Sequence, residues 1–570
     1  MNNKEGSVTN SINKISLGLT KLCDRLETVK GKTPEHIALL GYLIGRGLMI
    51  LVHEPWFDEA LAWLIARDSS LSEILFTAPH YEGHPSLWHL VLMPFAKLGA
   101  PYELSLGLVS LIFSGIAMAL FIYKAPFKRI IRLLMPFTYF MFYQFGVVSR
   151  PYCMMMLAFI MVALTYGKKD ICPGRFVLSL WFLCLTGAYG LVVAGGICIV
   201  WIVEMLRKAY ETSKNKNSEN GECRGMIKIL IEDHLLKKGK ILWLLGLLVY
   251  AVFIIYRIYP AEDAFAVLNT NGTTLSVVVR ILYMAFGLLA DLFITNTYSS
   301  GTTITVSGLG MIDILPSVII GICILAALIY TAKKKKMLLL FVIPYSMLVF
   351  MMTWLYMSRH HMGIVLLYLI FFMWVYTEKD KAYDTDKHKI TDKQDIKLSL
   401  VVLLATIGIV IPLYWNISSS VVDVVFNYAL GRDEYAFLEE KGYLDSTILA
   451  EWENMPMAEE GSAPITFSVT VTTILPYMDK DAFLNSPAKA GYNYSLIHKP
   501  PAKEMTDKLI ETIDKAGPPV VMIGSPEYSK VYASGLNFTE YECACEVDGG
   551  LIWKGVPEMR SEKVYVRKSK

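Results

Sequence analysis

Long apolar segments recur along most of this chain, and each is close to the ~20 residues that an α-helix needs to cross a bilayer. Short clusters of Lys and Arg separate these segments, as in the loops of multi-pass membrane proteins. Of the 570 residues, 54% are hydrophobic and only 18% are charged, which is far more apolar than a soluble protein of this length requires. The sequence therefore predicts an α-helical polytopic membrane protein.

Charges at the ends of the apolar segments predict the topology. Because Lys and Arg concentrate in cytoplasmic loops, the first 36 residues are expected inside and the loop after the first span outside. Segments 86–99 and 276–295 are expected to lie along the outer membrane surface, since the first is short and the second carries Arg280 and Asp291. The resulting path has about 11 spans: 37–52, 104–123, 131–148, 152–166, two short crossings within 174–206 broken near Gly187 to Gly190, 241–259, 312–331, 337–357, 362–377 and 398–414.

Three parts follow from this pattern: a cytoplasmic segment 1–36, a membrane domain 37–415 with an outer loop 53–103, and an extracytoplasmic domain 416–570. The last part loses the long apolar segments. It alternates helical runs such as AKEMTDKLIETIDKAG with strand-like runs, which is typical of a small α/β domain. The strand-like runs are ITFSVTVTTILP (465–476), PPVVMIGSP (518–526) and LIWKG (551–555).

Three separated pieces of chain carry polar side chains to the same predicted outer side. A charged side chain at membrane depth costs a few kcal/mol unless it faces a cavity or a partner. Arginines at outer span ends also depart from the positive-inside pattern, and a bound anion would explain this departure. The side chains are Asp58 and Glu59 in the acidic loop, Arg150 and Tyr152 at the start of one span, and Arg359, His360 and His361 at the start of another.

A carboxylate near Arg and His at the outer leaflet suits a reaction in which a lipid-linked phosphate leaves. The carboxylate can accept a proton from an attacking hydroxyl, while guanidinium groups neutralise the departing phosphate. Arg presents a planar fork that matches phosphate oxygens, which Lys cannot do. In the alternative interpretation, Arg150 and Arg359 only anchor the ends of their spans at lipid headgroups.

The order of four motifs resembles the C-type (GT-C) membrane glycosyltransferases. The motifs are WFDEA (56–60), HPSLWHL (84–90), SRPY (149–152) and RHHMG (359–363). The resemblance covers roughly residues 37–415 and is closest to the branch that holds protein O-mannosyltransferases, lipid A aminoarabinose transferases and their bacterial relatives. The lumenal domain that the mannosyltransferases insert between their middle spans has no counterpart here, which argues against protein O-mannosylation.

The resemblance implies a GT-C-like fold and a glycosyltransferase that uses a polyprenyl-phosphate sugar donor at the outer face of a bacterial cell membrane. The sugar would be a hexose or a pentose, and the acceptor a lipid, a cell-surface glycan or a protein. Asp58 would be the general base, with Arg150 and Arg359 on the phosphate. The other substrate contacts would come from Glu59, the second acid of the pair, from His84 at the turn into the surface helix, and from Tyr152, His360 and His361.

Two other functions stay open: a polyprenol-linked glycan transporter, and a noncatalytic scaffold in cell-surface polysaccharide assembly. Transporters keep ionisable residues near the bilayer midplane, often in repeated halves. In this chain the ionisable residues cluster at one face and no internal repeat is visible in the sequence, which favours the transferase. A scaffold would tolerate replacement of Asp58.

Metal and nucleic-acid binding are not expected. Imidazole and carboxylate groups are suitable ligands for a divalent cation. The candidate metal ligands are His80, Glu82, His84 and His89. The spacing of these residues matches no zinc-binding pattern, so it does not support a site for a divalent cation. The sequence therefore predicts no cofactor. The basic residues sit in juxtamembrane loops, where they orient the protein among membrane lipids.

Overall fold

The structure is a computed structural model, and the residues that it describes are mostly helical. These residues are 25–219, 226–261, 274–297, 311–355, 357–384, 395–450, 469–479, 482–484, 511, 515–524 and 538–568. The predicted helical run 502–517 falls largely outside them.

Short connections join successive helices in the first part of the chain. These helices are α1 (Thr33–Ile50), α2 (Phe57–Asp68), α3 (Leu71–Phe76), α4 (Ala78–Glu82), α5 (Leu87–Lys97), α6 (Tyr102–Lys124), α7 (Arg129–Leu134), α8 (Tyr152–Tyr166) and α9 (Pro173–Leu185). A 3-10 turn (Met135–Phe137) and a π-helical segment (Phe140–Val147) come after α7.

The second part of the chain contains both long and very short helices. They are α10 (Ala188–Glu219), α11 (Met226–Ile229), α12 (Lys240–Ile258), α13 (Thr274–Leu282), α14 (Leu288–Asp291), α15 (Met311–Lys334), α16 (Leu338–Trp354), α17 (Met362–Asp384), α18 (Asp395–Val425), α19 (Gly431–Glu440) and α20 (Val469–Ile474). A 3-10 turn, Arg359–His361, leads into α17.

Seven stretches among the described residues are long and apolar enough to cross a membrane, and each overlaps a predicted span. They are Tyr102–Lys124, Arg129–Val147, Ala188–Lys214, Lys237–Ile258, Ile312–Lys334, Arg359–Lys379 and Gly408–Val425. Three shorter apolar helices, α8, α9 and α16, overlap three further predicted spans. The protein therefore has the helices of a membrane protein, while the total of about 11 spans stays a prediction.

Burial separates central from peripheral helices. The stretch Arg359–Lys379 is 78% buried inside the protein, whereas Lys237–Ile258 is only 11% buried. Helix α8 is also buried on most of its surface. A helix that is apolar all round and buried belongs to the interior, so α8 and α17 form the centre of the domain.

The predicted break between two short crossings is confirmed between α9 and α10. Helix α9 ends at Leu185 and α10 begins at Ala188. Between them Gly187 has a φ of +152°, a backbone conformation that L-residues with a side chain rarely adopt. The glycine therefore allows the chain to turn sharply between two helices.

The last long helix departs from its prediction. Helix α18 continues to Val425, beyond the expected end of the span at 414 and beyond the predicted start of the C-terminal domain at 416. The end of this helix contacts the membrane domain, because Asp423 lies 2.8 Å from His53 Nδ1 and accepts a hydrogen bond from the Tyr143 hydroxyl at 3.0 Å. The membrane domain and the C-terminal domain are thus joined by a continuous helix.

The C-terminal region contains a small mixed sheet, as the sequence predicts. Its strands are β1 (Ile448–Ala450), β2 (Val521–Ile523), β3 (Tyr541–Gly549) and β6 (Arg560–Arg567), in the order β1-β2-β6-β3. Strand β1 pairs with β2 in parallel, and the other pairs are antiparallel.

Two of the three strand-like runs are confirmed and one is wrong. The runs at 518–526 and 551–555 contain β2 and β4 (Ile552–Trp553), but 465–476 contains helix α20. All six side chains of α20 are buried. The β propensity of Val and Thr mostly reflects packing on a half-buried sheet, so a fully buried position can override it.

A hairpin of β4 and β5 (Val556–Pro557) inserts between the membrane helices. Its turn residues, Lys554 and Gly555, both have positive φ, as in the type I′ turns that suit two-residue hairpins. The Lys554 ammonium donates to the carbonyl oxygens of Asp291 and Thr295 at 2.6 and 2.9 Å. Trp553 packs edge-on against Tyr139 with 5.6 Å between ring centroids. The hairpin therefore fixes the C-terminal domain to the membrane domain.

Candidate functional site

The two neighbouring acids at the start of α2 have different environments. Glu59 caps its own helix, because the backbone N–H of Trp56 donates to Glu59 Oε2 at 2.9 Å. The side chain of Asp58 is 37% exposed, whereas that of Glu59 is 0% exposed. Adjacent residues on a helix point about 100° apart, so one acid faces outward and the other faces the protein interior.

Asp58 forms an ion pair with Arg150. Arg150 Nη1 donates to Asp58 Oδ2, although the two residues are 92 positions apart in the chain. The guanidinium carbon of Arg150 also lies 5.8 Å from the ring centre of Tyr152 at the start of α8. The structure thus brings the acidic loop and the SRPY segment together, as the sequence analysis expects.

Glu59 belongs to a buried polar network. Its Oε1 accepts a hydrogen bond from the backbone N–H of Ser149 at 2.5 Å. Its Oε2 lies 3.5 Å from His53 Nε2, and His53 Nδ1 lies 2.8 Å from Asp423 Oδ2 on α18. The hydroxyl of Tyr143 donates to the same Asp423 oxygen at 3.0 Å. Glu59 was expected to contact the substrate, but its oxygens are engaged inside the protein.

His53 links two carboxylates by charge. Burial alone would lower the pKa of His53, but the carboxylates of Asp423 and Glu59 overcome this effect and raise the pKa to about 10. The imidazole is therefore protonated at neutral pH. Sequence analysis missed both His53 and Asp423 as site residues. For Asp423, the only indication in the sequence was that a single acid interrupts the apolar run VVDVV.

Helix α4 brings a second carboxyl group towards Arg150. Phe57 and Tyr81, the residues that precede Asp58 and Glu82, pack against the same small apolar core. Burial raises the pKa of Glu82 to about 7, while the charge of Arg150 lowers it and that of Asp58 raises it. Glu82 is thus able to change its protonation state near neutral pH.

Two histidines near Arg150 are neutral. Burial lowers the pKa of His84 to about 3 and that of His89 to about 4, and the positive charge of Arg150 adds to both shifts. Neither ring nitrogen of His89, nor Nδ1 of His84, has a hydrogen-bond partner among the described residues. A neutral imidazole has one donor and one acceptor, so these buried nitrogens keep unused hydrogen-bonding capacity.

The RHHMG segment places its histidines beside Tyr152. The ring centre of Tyr152 lies 5.5 Å from that of His360 and 5.9 Å from that of His361. His361 is fixed, because the backbone N–H of Ser358 donates to its Nδ1 at 2.8 Å. His360 is less buried and lies 3.1 Å from the Ser358 hydroxyl. Of the two histidines, His360 is the more accessible.

Arg359 is bound to the C-terminal domain. Its two terminal nitrogens donate to the two carboxylate oxygens of Glu558, with 2.7 Å between Nη2 and Oε2. The guanidinium also lies 5.1 Å from the ring centre of Trp553 in the inserted hairpin. The guanidinium that was expected to bind a phosphate therefore binds a carboxylate of the same chain.

The described part of the chain contains no group of three or more His, Cys, Asp or Glu side chains that could hold a metal ion. No protein-family model matches the sequence, and no curated protein matches it either. The case for a function consequently depends on the site itself, in which the ion pair of Asp58 and Arg150 is surrounded by neutral imidazoles and a titratable carboxyl group.

Proposed function

We propose that the protein is a membrane glycosyltransferase that moves a sugar from a polyprenyl-phosphate donor to an acceptor hydroxyl. The observation that carries the proposal is the ion pair between Asp58 and Arg150, which joins a partly exposed carboxylate to a guanidinium from a distant segment. A carboxylate and a guanidinium side by side supply the proton acceptor and the phosphate ligand that such a transfer needs. The proposal includes a GT-C-like membrane domain with this site on the outer face of the cell membrane.

The reaction can be written with these two groups. The acceptor oxygen attacks the anomeric carbon, and its proton passes to the Asp58 carboxylate. The bond between the anomeric carbon and the phosphate oxygen breaks, and polyprenyl phosphate leaves with the electron pair. Arg150 neutralises the departing phosphate with its fork of donors. Arg150 Nη1 donates to Asp58 Oδ2. Donor binding would therefore draw Arg150 to the phosphate and free the carboxylate to accept the proton.

The surrounding residues support recognition of a hydroxyl-rich ligand. His84 and His89 keep unpartnered ring nitrogens among the described residues, and their neutral rings can both donate and accept hydrogen bonds. Tyr152, whose ring centre lies 5.8 Å from the Arg150 guanidinium, and His360 beside it add polar groups near Arg150. Arg359 can contribute to phosphate binding only after Glu558 has moved away from it.

The acceptor would be a lipid, a cell-surface glycan or a protein. A lipid extract from cells that lack the protein should accumulate a polyprenyl-phosphate sugar, and the purified protein should consume that compound. Absence of any lipid-linked sugar from both experiments would refute the proposed donor class.

The role of Asp58 can be tested by Asp58→Asn, which keeps the shape and removes the basicity. Turnover of the purified variant should fall by about 100-fold or more, which corresponds to about 2.7 kcal/mol at 25 °C. Asp68→Asn is a matched control, because Asp68 ends the same helix and also pairs with an arginine, Arg67, at 2.7 Å. If Asp58→Asn retains most of the wild-type turnover, Asp58 is not the proton acceptor.

A further inference from the structure

Three ionisable side chains form a continuous buried line behind the ion pair of Asp58 and Arg150. They are Glu59 on α2, His53 in the loop before it, and Asp423 near the end of α18. None of the three is more than 6% exposed. Buried charges of this kind are costly unless they are paired, and removal of one partner is strongly destabilising. The presence of these three ionisable side chains inside an apolar domain indicates that they have a role beyond packing.

Glu59, at one end of the line, accepts hydrogen bonds from the backbone near both members of the ion pair. Glu59 Oε1 accepts from the N–H of Ser149, the residue before Arg150, at 2.5 Å. Glu59 Oε2 accepts from the N–H of Trp56, two residues before Asp58, at 2.9 Å. One carboxylate thus ties together the two segments that supply the pair.

We propose that His53 and Asp423 are positioning residues that act through Glu59 to hold Asp58 and Arg150 together. His53 Nε2 lies 3.5 Å from Glu59 Oε2 and orients this carboxylate. Asp423 Oδ2 lies 2.8 Å from His53 Nδ1 and orients the imidazole. Two aromatic residues support His53 and Asp423, since the Tyr143 hydroxyl donates to Asp423 and the Tyr428 ring lies 4.7 Å from the His53 ring.

Electrostatics agree with this geometry. Burial disfavours the imidazolium, yet the two carboxylates outweigh it and keep the pKa of His53 near 10. The imidazole is therefore protonated at neutral pH where it lies between Glu59 and Asp423. Because α18 leads directly into the C-terminal domain, Asp423 also connects the site to that domain.

The experiment measures the position of Arg150 without relying on activity. Purified protein is treated with phenylglyoxal, which modifies arginine, and modification of Arg150 is followed by peptide mass spectrometry. In Asp423→Asn, the imidazole loses its far counter-charge and Glu59 loses its orientation. Modification of Arg150 should then be at least about 5-fold faster than in the wild type. Ser419→Ala is the matched control, because Ser419 lies one turn earlier on α18 and is also buried.

Activity provides the second measurement, which depends on the proposed function. The kcat of folded, monodisperse Asp423→Asn should fall by about 10-fold, equivalent to about 1.4 kcal/mol. A purely architectural role would instead reduce the yield of folded protein and leave kcat per folded molecule unchanged. Asp423→Glu, which keeps the charge, should recover most of both the kcat and the slow modification of Arg150.

The two proposals can fail separately. If the wild type consumes no polyprenyl-phosphate sugar, the proposed function fails, but the modification of Arg150 still tests the positioning line. If Asp423→Asn does not fold, His53→Gln takes its place in both measurements with the same expected direction. Wild-type rates of Arg150 modification in whichever of these variants folds would overturn the inference.

Discussion

The pairing of Arg359 with Glu558 predicts how a donor phosphate would compete with the protein itself. Glu558 occupies both terminal nitrogens of the guanidinium, and the side chain of Arg359 is only 6% exposed. If Arg359 binds the donor phosphate, the phosphate must first displace this carboxylate. Glu558→Gln removes the charge but keeps the shape, so it should tighten donor binding.

The expected change in donor affinity follows from the hydrogen bonds that are exchanged. Hydrogen bonds to charged groups contribute roughly 1.5–3 kcal/mol each to stability. Gln retains one acceptor oxygen, so the substitution weakens the contact with Arg359 and does not abolish it. We therefore expect the donor Kd to decrease by about 10-fold, equivalent to about 1.4 kcal/mol. The melting temperature should fall at the same time, because Arg359 is then buried without its full counter-charge.

The assay is the dependence of the initial rate on donor concentration, with direct binding of a polyprenyl phosphate as a second measurement. Glu546→Gln is the control, since Glu546 is an exposed carboxylate on β3 that lies 3.9 Å from Lys563. If Glu558→Gln lowers the melting temperature and leaves donor affinity unchanged or weaker, the contact between Arg359 and Glu558 only stabilises the fold. Arg359 is then not a phosphate ligand.

The remaining predictions concern the other groups of the site and the topology. Arg150→Lys keeps the charge and loses the fork, so donor use should weaken by about 10-fold or more; wild-type rates at all donor concentrations would contradict this. Glu82 has a pKa of about 7, so it becomes negative as pH rises through 7 and competes for Arg150. The donor KM should then rise above pH 7 in the wild type and stay flat in Glu82→Gln; an unchanged pH profile in the variant would exclude Glu82. A cysteine at exposed Ser72 should react with an impermeant thiol reagent in intact cells, whereas one at Lys214 should not; the reverse pattern would invert the proposed sidedness.

The meeting of Asp58 and Arg150 could be anticipated from the sequence. Counting basic clusters assigns each span end to a side of the membrane, and both residues fall on the same side. Spans that are close in the chain also tend to pack together. The sequence could not tell Asp58 from Glu59, because two adjacent acids differ only in their direction on the helix. That direction is set by the N–H of Ser149 and by His53, which are tertiary contacts.

The contacts made by the last part of the chain were beyond sequence reasoning. Asp423 lies in an apolar run, and its partner His53 is 370 positions earlier. Glu558 lies 199 positions after Arg359 and follows a two-residue strand with no distinctive pattern. Long-range pairs of this kind leave no local periodicity, so hydrophobic patterning cannot find them.

The two arginines that were expected to bind phosphate are both neutralised by carboxylates of the protein. Arg150 is paired with Asp58 and Arg359 with Glu558. In a weakly polar environment such pairing stabilises the guanidinium groups, since an unpaired buried charge is costly. Under the proposed function, donor binding would exchange one ion pair for another, so the donor affinity would reflect a difference between two large interactions. The two carboxylates should therefore respond in opposite ways to neutralisation. Asp58→Asn weakens the hold on Arg150 but removes the proton acceptor, and so lowers turnover. Glu558→Gln weakens the contact with Arg359 and improves donor binding without loss of turnover. Equal losses in both variants would mean that the carboxylates serve the fold and not the transfer.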